Sequence, residues 1–394
     1  MAMAVSYTVN NKTMIRNIIV QLYLFLQPFL GFGQSLSADE VAVLPEGLDE
    51  CSGMCFIAPN ALVMINDSGN DAELFICDTL GQLLMQPKLL GLPNRDWESL
   101  AFKDGLLYIG DFGNNSNKRE DLEILVLDLS KLLSEEQWSL KGRVQFQYPE
   151  QKQFPPEEES DWYYDLEAMV VSGDSIYLFT KNRTKPFDGL VKVYALSTEY
   201  KSQEAQLIKE FKTNIGLKHF NWVSGASLGP NGDDLFLLGY SKVWYVANWR
   251  EADLNAPYAY SLGYFSQKEA IAVNGNQLYF AEEKNKGYEP FLRKTSVELF
   301  LNRYQQLADE AIVLDTNTFR SGDSISLHFR DPHYFLGTRY VLYNTAGNEV
   351  FDGKLNESQL KNGNLDIEIG QLPAGRYILS FDGKMKKAFV LSIL

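Results

Sequence analysis

Glu269-Ala270-Ile271-Ala272-Val273, turning at Asn274-Gly275 into Leu278-Tyr279-Phe280, is the stretch that decides the fold. It joins a short apolar strand to a second, aromatic-rich one through a turn of residues that tolerate positive φ, which is a hairpin signal. The pattern recurs upstream. Ser52-Gly53-Met54-Cys55-Phe56 turns at Pro59-Asn60 into Leu62–Ile65, and Glu98-Ser99-Leu100-Ala101-Phe102 turns at Asp104-Gly105 into Leu107–Ile109. Glu167–Val171 turns at Gly173-Asp174 into Ile176–Phe179, and Ser224–Leu228 turns at Asn231-Gly232 into Leu235–Leu238. Each hairpin is followed by a third β-prone run: Leu74–Cys77, Ile124–Leu127, Val191–Ala195, Val243–Val246 and Leu292–Val297. Several have a fourth, such as Val144–Tyr148 and Leu207–Phe211.

Four-stranded units repeated along a chain predict a β-propeller. The count gives five blades, with six open if one blade has lost the pattern. Val41–Leu44 is placed to supply the outer strand of the last blade, closing the ring with strands from both ends of the chain. Helical periodicity is confined to Leu129–Glu135 and Val297–Leu307. The fold class expected is therefore all-β. A doubly wound α/β fold, which needs alternating helices and strands, is excluded.

The 394-residue chain carries a formal charge of −15. Residues 1–33 hold two bases, Lys12 and Arg16, and no acid, while residues from Ala308 onward are close to neutral. The negative charge therefore lies in the repeat region. Such a field repels nucleic acid and anionic membranes and favours cations or basic partners. The apolar run from Ile18 to Phe32 follows those two bases and ends in small residues, the pattern of a removable signal peptide. At about 15 residues it is shorter than a membrane span. The expected organisation is a signal peptide over 1–33, a propeller over 34–300, a linker over 301–307 and a C-terminal module over 308–394. No transmembrane segment is expected in the mature chain. Cys51, Cys55 and Cys77 lie in apolar strand contexts and read as buried thiols.

Two family resemblances rest on particular residues. Asn317-Thr318-Phe319, Ser324–Phe329, Arg339–Gly347 with Asn348-Glu349-Val350, Leu365–Leu372, Pro373–Leu379 and the basic Lys384–Lys387 follow a known order. Over about 308–394 the chain resembles the type A C-terminal sorting domain of the type IX secretion system. The resemblance implies an Ig-like β-sandwich of about seven strands. It also implies export across the outer membrane by that machinery and a final location that is secreted or at the cell surface, via the periplasm. The alternation of Ile325, Leu327 and Phe329 with polar residues agrees with a sandwich strand. Over about 48–283, Glu50-Cys51-Ser52-Gly53, Asp96-Trp97-Glu98, Asp165-Leu166-Glu167 and Lys268-Glu269-Ala270 make the chain similar to SdiA-regulated and phytase-like propellers. These marks speak for architecture, not for an activity.

In a propeller the first strand of each blade lines the channel, so equivalent positions converge. Glu98, Glu167 and Glu269 are equivalent, with Ser52 and Ser224 completing the ring. Carboxylates so placed either hold a cation or accept hydrogen bonds from the neighbouring blade. Ca²⁺ is the cation suited to an all-oxygen set. A second set, Asp67 and Asp111 at the ends of second strands with Glu282 in the last blade, is a candidate for metal ligation, although Asp-Asn-Gly loops also form turns unaided. Lys181 and Tyr240 occupy the matching places in the third and fourth blades. The insertion Pro155–Tyr164 joins acids to aromatics, either as a recognition loop or as a solvated one. No Gly-x-Ser-x-Gly elbow occurs, and His219 is the one histidine of the repeat region. The function expected is an exported propeller that binds an extracellular ligand or partner through one face, with an acidic channel suited to Ca²⁺. The alternative is a Ca²⁺-dependent hydrolase of the lactonase or phosphoesterase kind.

Overall fold

A computed structural model describes residues 35–394 except 131–137, 214–215, 251–257, 286, 315, 330–334, 336, 357–358, 360–363, 369 and 383–386. The signal-peptide reading over 1–33, most of the Leu129–Glu135 helix and the basic residues Lys384–Lys386 lie outside the described residues.

Each hairpin signal becomes a strand pair. Cys51–Ala58 pairs with Ala61–Asn66, Trp97–Lys103 with Leu106–Asp111, and Leu166–Ser172 with Ser175–Thr180. Gly225–Leu228 pairs with Leu235–Leu238, and Lys268–Asn274 with Gln277–Glu282. Third and fourth strands add outward in each case. The sheets are ordered by sequence from the first strand to the fourth, except in the last. There the outermost strand is Asp39–Val43, which pairs antiparallel with Phe291–Ser296. The N-terminal strand thus completes the sheet formed by the end of the repeat region as its outermost strand, with bounds 39–43 against the expected 41–44.

The five first strands touch one another in a closed cycle, 51–58 to 97–103 to 166–172 to 225–228 to 268–274 and back to 51–58. This radial arrangement of small antiparallel sheets is a β-propeller. Between neighbouring sheets lie separate apolar cores. Val63, Ile65, Leu107 and Ile109 share one, and Phe179, Val193, Leu237 and Trp244 share another. The second sheet gains an extra edge strand, Ser202–Glu204, which pairs parallel with Leu140–Gln147. The three cysteines are free and buried, and burial pushes all three thiols well above their ordinary range.

A helix, Val297–Ala311, follows the last sheet. Ser296 caps it by accepting the amide of Glu298. It runs through 301–307, where the sequence placed a linker. Beyond it, a three-stranded sheet and a five-stranded sheet enclose one apolar core that includes Ile325, Leu327, Phe329, Leu342, Leu379 and Leu391. Tyr258 and Tyr304 pack against both this core and the core beside the fourth and fifth propeller sheets. No described helix is long and apolar enough to cross a membrane.

Candidate cation site and adjoining cleft

Four of the five first strands break register at their second residue. The skipped positions are Ser52, Glu98, Glu167 and Glu269. In the remaining sheet, Ser224 stands just ahead of its strand. A bulge takes its residue out of the ladder and re-aims the side chain. This is why the equivalent residues that sequence singled out are all buried at one end of the channel. The opposite mouth is apolar, lined by residues such as Met54, Phe102, Val171 and Leu228.

The two serines join neighbouring sheets. Ser52 Oγ donates to the Trp97 carbonyl at 2.6 Å, and Ser224 Oγ to the Lys268 carbonyl at 2.5 Å. The three glutamates meet different fates. Glu167 pairs with Lys181 at 2.9 Å and Arg183 at 3.0 Å. Glu269 receives the Tyr240 hydroxyl at 2.6 Å and lies 3.4 Å from Lys181. Its second oxygen is buried without a hydrogen-bond partner. Burial works against the Lys181 charge, yet Glu167 and Glu269 hold it well above its ordinary pKa. Burial and Glu167, opposed by Lys181, leave Glu269 raised to about 7.

Glu98 is 3% exposed and, among the described residues, accepts no hydrogen bond and makes no ion pair. One oxygen each from Asp67, Asp96 and Glu98 lie within 4.8 Å of one another. Burial first, then Glu167, Asp67 and Asp96, push the Glu98 carboxyl well above the carboxylate range. Burial and Asp67 raise Asp96 to about 7. Gly113 makes room for the group. A Cβ there would sit 2.5 Å from Asp96 Oδ2 and 2.5 Å from Glu98 Oε1.

The tentative metal set divides. Asp67 enters the cluster. Asp111 is held by Arg119 at 2.8 Å and Arg95 at 3.4 Å. Glu282 is held by Arg293 at 3.1 Å, Tyr264 and Ser266. Asp111 and Glu282 therefore already have compensating partners and do not join Asp67. Sequence reading missed Asp96 and Glu283 as site residues. Asp96 was legible through the recurrence of Asp-x-Glu at 96–98 and 165–167. The two copies differ because Arg183 reaches Asp165 at 2.5 Å, whereas no described cation pairs with Asp96.

A cleft of about 690 Å³ opens beside the cluster, lined by Tyr240, Phe265, Glu283, Tyr288 and Arg293 among others. Burial, then the charges of Glu269 and Asp67, lift Glu283 to about 9. The cleft and the cluster thus share one electrostatic field. His219 stands in the cleft wall against Trp222, and burial and nearby cations lower its pKa.

No family model matches the chain, and no curated protein matches it. Solved structures do. PorZ, a surface component of the type IX secretion system of Porphyromonas gingivalis, matches at 9% identity and TM-score 0.34 over 86% of this chain. The chain spans about half of that protein, 51%. A PQQ-bound aldose sugar dehydrogenase from Streptomyces coelicolor matches at 10% identity and TM-score 0.41, over 65% of this chain and 97% of that one. A nidogen/laminin complex matches at 9% identity and TM-score 0.35, over 81% and 86%. These likenesses are remote, and the propeller description rests on the strand pairing above.

Proposed function

We propose that this chain is an exported, five-bladed binding propeller that holds a divalent cation, Ca²⁺ by ligand chemistry, between Asp67, Asp96 and Glu98. The observation that carries the reading is the convergence of three carboxylates, one of them buried with no donor, at the polar end of the channel. Placing like charges this close, one of them buried and two half-buried, is costly unless a cation neutralises them. An all-oxygen donor set suits a hard cation, and His and Cys are absent from the group. Bound there, the cation would screen the acidic end and polarise an oxygen of a ligand reaching it. The protein's own contribution is to aim Glu98 from its bulge beside Asp67 and Asp96 and to keep Glu167 and Glu269 occupied with Lys181.

The five-sheet cycle supports the blade count. The order of residues from Asn317 to Lys387 supports a type IX sorting module with an Ig-like core, delivering the propeller outside the cell. The hydrolase alternative shares the cation and is favoured by the cleft beside it. Titration with Ca²⁺ separates the cases. Saturable one-to-one binding, weakened at least about tenfold in Asp96→Asn and Glu98→Gln, supports the site, since each variant removes a charged ligand. Unchanged binding in both variants contradicts it. Calcium-dependent release of product from ester or phosphoester substrates by wild type, lost in Glu98→Gln, would favour the hydrolase.

A further inference from the structure

The cleft beside the cluster has a chemistry of its own. Its volume lies within the usual range for small-ligand pockets, about 300–1,000 Å³. Two aromatic rings in its lining remain in water, Phe265 at 51% and Tyr288 at 77% exposure. Phe265 packs against a tilted Phe220 ring and edge-on against Tyr240, with ring centroids at 5.0 and 5.8 Å. Both rings are therefore accessible to a ligand entering the cleft.

The charges of the lining are unequally matched. Arg293 is committed to Glu282 and Glu40, and its guanidinium lies over the rings of Tyr264 at 5.0 Å and Phe291 at 5.1 Å. Lys268 next to it donates to the Tyr240 carbonyl and Ser266 and sits 3.9 Å above the Tyr264 ring. One wall therefore already shows cations held between aromatic faces and the Glu282 carboxylate. Phe265, Tyr288 and Glu283 line the same cleft. There, among the described residues, no side chain supplies the cation: Glu283 makes no ion pair and accepts no hydrogen bond.

We infer that this cleft binds an organic cation, an alkylammonium or guanidinium group, between the rings of Phe265 and Tyr288 and the Glu283 carboxylate. Aromatic faces attract such cations, most strongly where water is partly excluded. The acidic channel end behind Glu283 adds long-range attraction and disfavours anions. The inference does not depend on Ca²⁺. A divalent ion on Asp67, Asp96 and Glu98 leaves Glu283 uncompensated.

The test is calorimetric titration of the mature chain at saturating Ca²⁺ and about pH 9.5, where Glu283 is ionised, with tetramethylammonium, Nα-acetyl-arginine methylamide and the neutral isostere Nα-acetyl-norleucine methylamide. Saturable binding of the cationic probes is expected, with the neutral probe at least about tenfold weaker. Glu283→Gln should weaken the cations about tenfold or more, and Tyr288→Ala several-fold, while Asp96→Asn, which alters only the long-range field, changes them by no more than about twofold. Tyr288 is too exposed for its truncation to unfold the protein. A lysine- and arginine-containing peptide binding tighter than the single-residue probe identifies a polypeptide source, and equal affinities identify a small amine. Equal binding of neutral and cationic probes, or wild-type affinity in Glu283→Gln, would overturn the inference. Loss of Ca²⁺ binding in Asp96→Asn with intact organic-cation binding keeps the two sites distinguishable.

Discussion

Gly113 shows how much of the candidate site depends on one residue. Any side chain there meets Asp96 and Glu98 at 2.5 Å. Gly113→Ala should displace one carboxylate, lower Ca²⁺ affinity at least about tenfold and leave the far, apolar mouth unaffected. A calcium titration beside a near-ultraviolet spectrum checks both. Glu283 yields a prediction in pH. Its folded-state pKa is raised to about 9 from an ordinary 4.5. A raised carboxyl contributes stability that is full below the unfolded pKa and lost as pH climbs through the folded one. Glu283→Gln removes that loss. The variant should match wild type near pH 4.5 and become more stable as pH rises to about 9, by more than about 1 kcal/mol there. Thermal melting across that range, in chelator, reads the difference. A gap that shrinks with pH would contradict the burial of Glu283 among like charges. Sequence exposed these residues unevenly. The repeated Glu at the second position of the strand motif was plain, because hairpin patterning aligns the copies. Which copy keeps a cation was not, because Lys181 comes from the third sheet and its reach to Glu269 of the fifth has no local signal.

At the scale of elements, periodicity carried the reading well. Turn residues located every hairpin; in four of the five, Gly105, Gly173, Gly232 and Gly275 supply the positive φ that tight turns demand. The closing strand was legible from Val41–Leu44 because the last repeat lacks an outer strand of its own. The bulges were not legible. They follow from packing at the channel, and no residue type announces them. Closure carries a prediction. Leu44 and Leu292 are buried in the core shared by the first and last sheets, and the backbone of Asp39–Val43 satisfies the edge of Phe291–Ser296. Removing residues 35–44 should expose that edge and lower the melting temperature by roughly 5 °C or more. Substituting only Val43, which is 47% exposed, should change it little. Differential scanning calorimetry of the two variants decides whether the strand is structural.

For the whole molecule, the distribution of charge and the two cores are the informative features. Part of the acidity read from composition lies at one end of the channel, where carboxylates outnumber the paired cations Lys181 and Arg183. The C-terminal module has its own core, with Phe329, Leu342 and Leu379 fully enclosed. A folded module should therefore persist when the propeller is destabilised. Chelation should lower one calorimetric transition and leave a second in place.

The central claim is the cation at Asp67, Asp96 and Glu98. Elemental analysis of the mature chain purified without chelator, joined to melting with and without EDTA, tests it most directly. The account predicts one Ca²⁺ per chain and a melting temperature that falls on chelation and is restored by Ca²⁺ but not by equimolar monovalent salt. A chain free of divalent metal, with a melting temperature indifferent to EDTA and to added Ca²⁺, would contradict it.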